Sequence, residues 1–342
     1  MKSLAACPPP PSIHEHTCYA FCKIALPLFS KTQIFARSLV IVTCLFPPLF
    51  AQAEQNSIQS KLAEHSLLLD GHQVQGKMVA VGDRGHILYS DDDGQQWHQA
   101  NVPTRVLLTG VYMHDTKLGW AVGHDATILR TEDGGQNWQQ VYKDVEQEAP
   151  LLDVWFRDAN SGYAVGAYGL FLETNDSGQT WEQRWVNEED DFHLNHIIRL
   201  SENQLFIAAE AGMIYRSDDL GKTWQSLEAP YHGSFFGALP ASNNILLLFG
   251  LRGHLFASQD QGDSWQDINS GTTAMLTTGL KTKQGLCIIA GLNGVLLIDD
   301  NCDGKRYKKH QLAQRNGISA MLETSNNDII LIGTAGITTF TP

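Results

Sequence analysis

The chain has 342 residues, 43% hydrophobic and 18% charged, with 24 Lys and Arg against 37 Asp and Glu for a net charge of -13. An acidic excess of this size argues against a nucleic-acid backbone or an anionic membrane surface as partner, since both would repel it. The length would hold two ordinary domains, but an internal repeat runs through most of it and argues for one.

Taken from the N-terminus, the first signal is a targeting one. Lys31 and Arg37 precede an apolar run from Ser38 to Phe50, which ends in Ala51-Gln52-Ala53, the small-x-small pattern of a signal peptidase site. The run is shorter than the roughly 20 residues that span a bilayer, so we expect export with cleavage after Ala53 and peripheral rather than integral membrane association. Residues 1–53 then form a signal peptide with an upstream extension, and residues 54–342 a single periplasmic or otherwise exported domain. The extension, with Pro8 to Pro11, is long for a signal and points to a start site set too far upstream. Thr43 before Cys44 is not the small residue that lipidation requires. Removing the segment takes four basic residues and one acidic one, which leaves a net charge of -16. Cys287 and Cys302 remain, and in an oxidising compartment they could bridge, although sequence leaves open whether their Cα atoms lie close enough.

Beyond residue 65 two elements alternate. One is a box of Ser/Thr, Asp, Gly and Trp, intact at Ser90–Trp97, Thr131–Trp138, Thr174–Trp181, Ser217–Trp224 and Ser258–Trp265. Its Asp residues, Asp92, Asp133, Asp176, Asp219 and Asp260, are 41, 43, 43 and 41 residues apart, a period at which propellers and solenoids are found. A sixth box, Asp300 to Tyr307, is degenerate, and a seventh is missing. The other element is a G-x-x-G turn before an apolar strand, at Gly82, Gly166, Gly250, Gly291 and Gly333, with one glycine replaced in the copies at Gly123 and Ala209.

Seven copies of four short strands, punctuated by turn residues, predict an all-β, seven-bladed propeller of four-stranded antiparallel blades. The innermost strands are expected at Leu67–Leu69, Leu107–Met113, Leu151–Phe156, Leu194–Leu200, Ser234–Leu239, Met275–Leu280 and Ile318–Leu322. Because the last copy lacks its outermost strand, we expect residues 56–63 to supply it by pairing with Gly336–Phe340, so that an N-terminal strand closes the ring.

The box reads as structural. Its Asp accepts backbone N–H groups of its own turn, Gly supplies positive φ, and Trp97, Trp138, Trp181, Trp224 and Trp265 are free to lie between sheets. One or two carboxylates per loop are too few for calcium. No metal or cofactor is expected: His193 and His196 would point to opposite faces of a strand, Asp190 and Asp191 read as a solvated link, and no phosphate-cradling or nucleophile motif is present.

These boxes resemble the Asp-box (bacterial neuraminidase) repeat of sialidases, xyloglucanases, sortilin-type receptors and photosystem II assembly factors. With G-W-A-V-G at Gly119–Gly123 and G-Y-A-V-G at Gly162–Gly166, the chain is most similar to the photosystem II stability and assembly factor family. That resemblance implies a lumenal or periplasmic propeller that binds a membrane-protein assembly intermediate and catalyses nothing.

The turns and the links between blades should share one face. Residues there that depart from the small-residue norm are Arg84, His124, Asp125, Tyr168, Glu210 and Arg252 in the turns. The links add Arg105, His193, Asn195, Tyr231, His232, Phe235 and Phe236. Tyr, Phe and Arg around one opening suit a protein interface, and we take this set as the partner-binding face. The alternative is a glycan-binding or sialidase-like role, with Arg84, Arg105 and Arg252 on a carboxylate and Tyr168 and Glu210 as the nucleophile pair.

Overall fold

The computed structural model describes residues 56–342, and the expected signal segment with its cleavage site lies outside them. Each strand is hydrogen-bonded to its neighbour in sequence, giving seven antiparallel sheets, six of four strands and one, Ile318–Phe340, of three. The innermost strands are Leu68–Val74, Leu108–Met113, Leu151–Phe156, Leu194–Arg199, Phe235–Pro240, Leu276–Lys281 and Ile318–Glu323. The second strands, such as Gly119–Gly123 and Leu246–Gly250, are buried along their whole length. Blades cover them on both faces, so their sequences are continuous apolar runs and do not alternate.

Seven hydrophobic clusters fill the seven seams, each built from two neighbouring blades. The boxes seat one large side chain in the seams they border. In the second blade, Thr131 Oγ1 donates to Asp133 Oδ1 (2.9 Å), and that oxygen also accepts the N–H groups of Gln136 and Asn137. The Trp138 indole N–H is held by the Gly135 carbonyl (2.9 Å), which directs the ring into the seam with the first blade.

The degenerate sixth box follows a different design. Buried Asp299, one residue before the expected start of the box at Asp300, takes the Ser/Thr place, pairs with Cys287 in the register that Ser258 has with Leu246, and accepts the N–H groups of Asn301 and Gly304 in a loop one residue longer. Cys302, where the Asp belongs, is disulfide-bonded to Cys287 on the second strand, with Cα atoms 4.7 Å apart. The loop N–H groups thus still meet a carboxylate, that of Asp299, and the disulfide adds a covalent tie to the second strand.

Ring closure differs from expectation. Residues 56–63 do not pair with Gly336–Phe340, and the last blade keeps three strands. They run along the rim of the first blade, where Ser57 N donates to Val102 O (2.9 Å), Ser60 N to Gln99 Oε1 (2.8 Å) and Gln99 Nε2 to Ile58 O (2.9 Å). A short 3₁₀ turn, Ala63–His65, then takes the place of the absent link from blade seven to blade one. A Cβ built on Gly336 would overlap the Glu64 carbonyl, as one on Gly85 would overlap that of Thr104 in the true link. No closing strand is required because the blades close face to face: Leu68, Met78 and Ala80 pack against Ala320, Leu322, Ile330 and Ile332.

The expected turns take a 3₁₀ form at five of the seven sites, among them Asp83–Gly85 and Leu251–Gly253. The middle residue of each of these turns, Arg84, Tyr168, Ala211, Arg252 or Asn293, is left-handed, with φ of 54 to 59°.

Candidate functional site

Each turn packs on the link that follows it: Gly169 N donates to Phe192 O (3.0 Å), and Ser270 Oγ donates to Gly253 O (2.6 Å). Turns and links therefore form one face, as the repeat pattern required. The left-handed residue sits at the apex of its turn and cannot fold its side chain back into the blade. Arg84, with its side chain 79% exposed, Tyr168 at 63% and Arg252 stand out from the surface for that reason.

The expected residues fall into groups. Arg84 pairs with its neighbour Asp83 (3.4 Å), and Arg105 donates to the Asn56 carbonyl (2.8 Å). Asp125 pairs with Lys143 (3.2 Å) beside exposed His124. Across the next two blades, Tyr168 meets the His193 ring edge-on at 5.0 Å, and Glu210 Oε2 lies 3.5 Å from His193 Nδ1. Tyr231 stacks on His254 at 4.0 Å, with exposed His232 beside it. Arg252 has no ion-pair partner among the described residues.

Phe235 does not belong to the face. It is fully buried in the seam of the fourth and fifth blades, while Phe236 and Asn195 line the central channel. The reason is a β-bulge after the first residue of every innermost strand. The residue before the bulge enters the seam, and the bulged residue is turned to the channel. Some bulged residues latch the next blade: Thr109 Oγ1 donates to Leu151 O (2.6 Å) and Asn195 Nδ2 to Phe235 O (2.8 Å). None of the three arginines of the sialidase alternative lines the central channel where the blades meet: Arg84 pairs with Asp83, Arg105 donates to the Asn56 carbonyl, and Arg252 is exposed at its turn.

The channel, about 520 Å³, carries groups that motif reading passed over. Asp70 accepts the Val111 N–H (2.8 Å) and Asp153 that of Ile197 (2.9 Å), each bridging to a neighbouring blade. Burial, reinforced by the charge of Asp153, pushes the Asp70 carboxyl up to about 8, and burial raises Asp153 to about 7. His72 and His196 are lowered to about 4 by burial, so both are neutral near pH 7. His196, whose Nε2 lies 3.7 Å from Asp153, faces the channel while His193 lies in the link, so the pair shares no site. The signal that could have found these groups is polar residues interrupting apolar innermost strands.

The model of a family described as photosynthesis system II assembly factor YCF48 matches residues 89–149 and 141–341. Among solved structures, the chain is similar to "YCF48 bound to D1 peptide", at 18% identity and TM-score 0.66, covering 81% of this chain and 94% of that one. It is similar to YCF48 from Cyanidioschyzon merolae at 14% identity and TM-score 0.66, covering 81% and 96%. The WD40 β-propeller domain of Doa1 matches at 12% identity and TM-score 0.64, covering 84% and 95%. At these identities the structural likeness is one of fold. Among curated proteins no sequence matches.

Proposed function

This chain belongs to the photosystem II assembly factor YCF48 family, and from that premise we propose that it is a non-catalytic binding module that holds a segment of a membrane-protein assembly intermediate against its turn-and-link face. The observation that carries this reading is the outward projection of Arg84, Tyr168 and Arg252 from left-handed turns on one surface. Exposed Arg and Tyr are the residue types that dominate interface energetics. The opposite face is dominated by box loops whose carboxylates are already bonded to their own backbone.

The relative recorded with a D1 peptide supports a peptide as the ligand, and the family description supports an assembly client. Removal of residues 1–53 on export would place the domain outside the cytoplasm, in peripheral contact with its client. The test is recovery of membrane proteins from solubilised membranes by the wild type and by an Arg84→Ala/Tyr168→Ala/Arg252→Ala variant with an unchanged melting temperature. The wild type should retain a client that the variant loses. Equal recovery by both overturns the assignment.

A further inference from the structure

We propose that the unpaired edge of Gly336–Phe340, with the hollow beside it in the seam of the sixth and seventh blades, is a strand-addition site for an acidic, extended segment of a partner protein carrying one aromatic side chain. The site runs along the rim of the ring, and its smaller hollow reaches the turn at Gly333–Gly336 and the link at Asn316 and Gly317, on blades other than those of Arg84, Tyr168 and Arg252.

The other six repeats show what is missing. The aromatic residue that opens each fourth strand fills one seam: Trp97 between blades seven and one, then Trp138, Trp181, Trp224, Trp265 and Tyr307 in the seams that follow. Among the described residues the seventh blade has no fourth strand, and its seam with the sixth holds neither Trp nor Tyr. Two hollows mark the place. One of about 430 Å³ is lined by Ile298, Lys308, His310, Glu323 and Thr341, and one of about 230 Å³ by Leu312, Ile318, Leu331 and Thr338. Phe340 fills the space only in part, lying against His310 at 6.3 Å.

The edge itself is open. In the sixth blade the corresponding strand, Val295–Asp299, pairs with Lys308–Gln311 over four residues. Gly336–Phe340 pairs with Ile329–Gly333 on one side, and no described backbone hydrogen bond reaches its other side. Thr338 and Thr339 are exposed. Edge strands are ordinarily guarded by a charge, a proline or a bulge, and Gly-Ile-Thr-Thr-Phe has no charge and no proline. Such an edge adds an extended peptide through main-chain hydrogen bonds, with side-chain pockets supplying selectivity.

Charge selects the occupant. In a chain of net charge -13, Lys305, Arg306, Lys308, Lys309 and Arg315 gather within eleven positions on and beside the outer strand that borders the hollow. Lys308 and His310 line the hollow, where Lys308 pairs with Asp300; Lys305 pairs with Asp303, and Lys309 turns away to the Gly271 carbonyl, so Arg306 and Arg315 carry the open charge. Arg306 and Arg315 are exposed and without an ion pair among the described residues. An acidic strand is the complement, and its aromatic residue takes the place that Trp or Tyr holds in the other seams.

The test is fluorescence anisotropy of a labelled peptide of about twelve residues, alternating Glu with Val or Thr around one Trp, against the purified protein. Saturable binding is expected, and the same peptide with Lys for Glu should not bind. Arg306→Glu/Lys308→Glu, which changes only exposed side chains, should weaken binding by at least about tenfold. Thr339→Pro should abolish it, and Arg84→Ala/Tyr168→Ala/Arg252→Ala should leave it unchanged. Absence of saturable binding, equal binding of the Lys peptide, or loss only in the triple variant overturns the proposal. So does a dimer that forms without peptide and is lost in Thr339→Pro, because the edge would then belong to a second copy.

Discussion

Gln73 and Glu323 stand 250 residues apart in sequence and bond each other twice: Gln73 Nε2 donates to Glu323 O (2.9 Å), and Glu323 N donates to Gln73 Oε1 (2.8 Å). The Glu323 carboxylate, buried to 4% exposure, also accepts the Lys283 N–H (2.9 Å). One residue pair thus joins the first, sixth and seventh blades at the point where the ring closes without a shared strand.

Replacing Gln73 by Ala removes both bonds and should cost about 1–3 kcal/mol, at roughly 0.5–1.5 kcal/mol per hydrogen bond. A thermal melt should fall by several degrees. Gln73→Glu, which keeps one acceptor but brings a carboxylate near Glu323, should be no better than Ala. A melt unchanged by Gln73→Ala would mean that apolar seam packing alone closes the ring.

Truncation separates the two roles of the N-terminal segment. Removing residues 54–60 strips hydrogen bonds from the first-blade rim and should lower the melting temperature modestly. Extending the cut through Ser66 removes the turn that stands in for the missing link, including buried Ala63, and should lower it far more. Equal effects of the two truncations would contradict the link role of Ala63–His65.

The channel carboxyls make stability depend on pH. Asp70 holds its proton to about 8 when folded against 3.8 when unfolded, so the folded state binds the proton more tightly and stability falls as pH rises across that window. His72 and His196, lowered from 6.5 to about 4, act in the opposite sense, but only below 6.5. Between about pH 6.5 and about pH 8.5 the carboxyl effect stands alone. The melting temperature should drop over that interval, and Asp70→Asn, which can still accept the Val111 N–H, should flatten the drop. A slope that is identical in the variant would remove Asp70 as its source.

The disulfide closes a loop with a separation of 15 residues, for which loop-closure entropy gives about 3 kcal/mol. Cys302→Ser should lower stability on that order, and a reductant should lower the wild-type melt toward the value of the variant without affecting the variant. The same reductant leaving the wild type unchanged would show that the bridge contributes nothing.

The fold was legible because its signals are periodic. Asp, Gly and Trp return about every 41 to 43 residues, and each copy reports the same local turn. Arg84, Tyr168 and Arg252 were legible for a related reason: they stand at turn positions that the other copies fill with Asp, Ala or Asn. Phe235 was misjudged because a bulge exchanges seam for channel between adjacent residues, and a bulge needs a partner strand to exist. Asp70, His72 and Asp153 were passed over because their burial comes from other blades.

By itself the sequence determined the number of blades, the place of each box and which loops share a face, because these follow from hydrogen bonds between residues close in the chain. How the ring closes was decided only in three dimensions. The segment 56–63 is equidistant in sequence terms from no particular edge, and its choice of the first-blade rim depended on acceptors at Gln99 and Val102 that local reading cannot rank. That choice leaves the outer edge of Gly336–Phe340 without a partner among the described residues, since closure comes from long-range packing of Leu68 and Met78 against Leu322 and Ile332, not from a continuous strand.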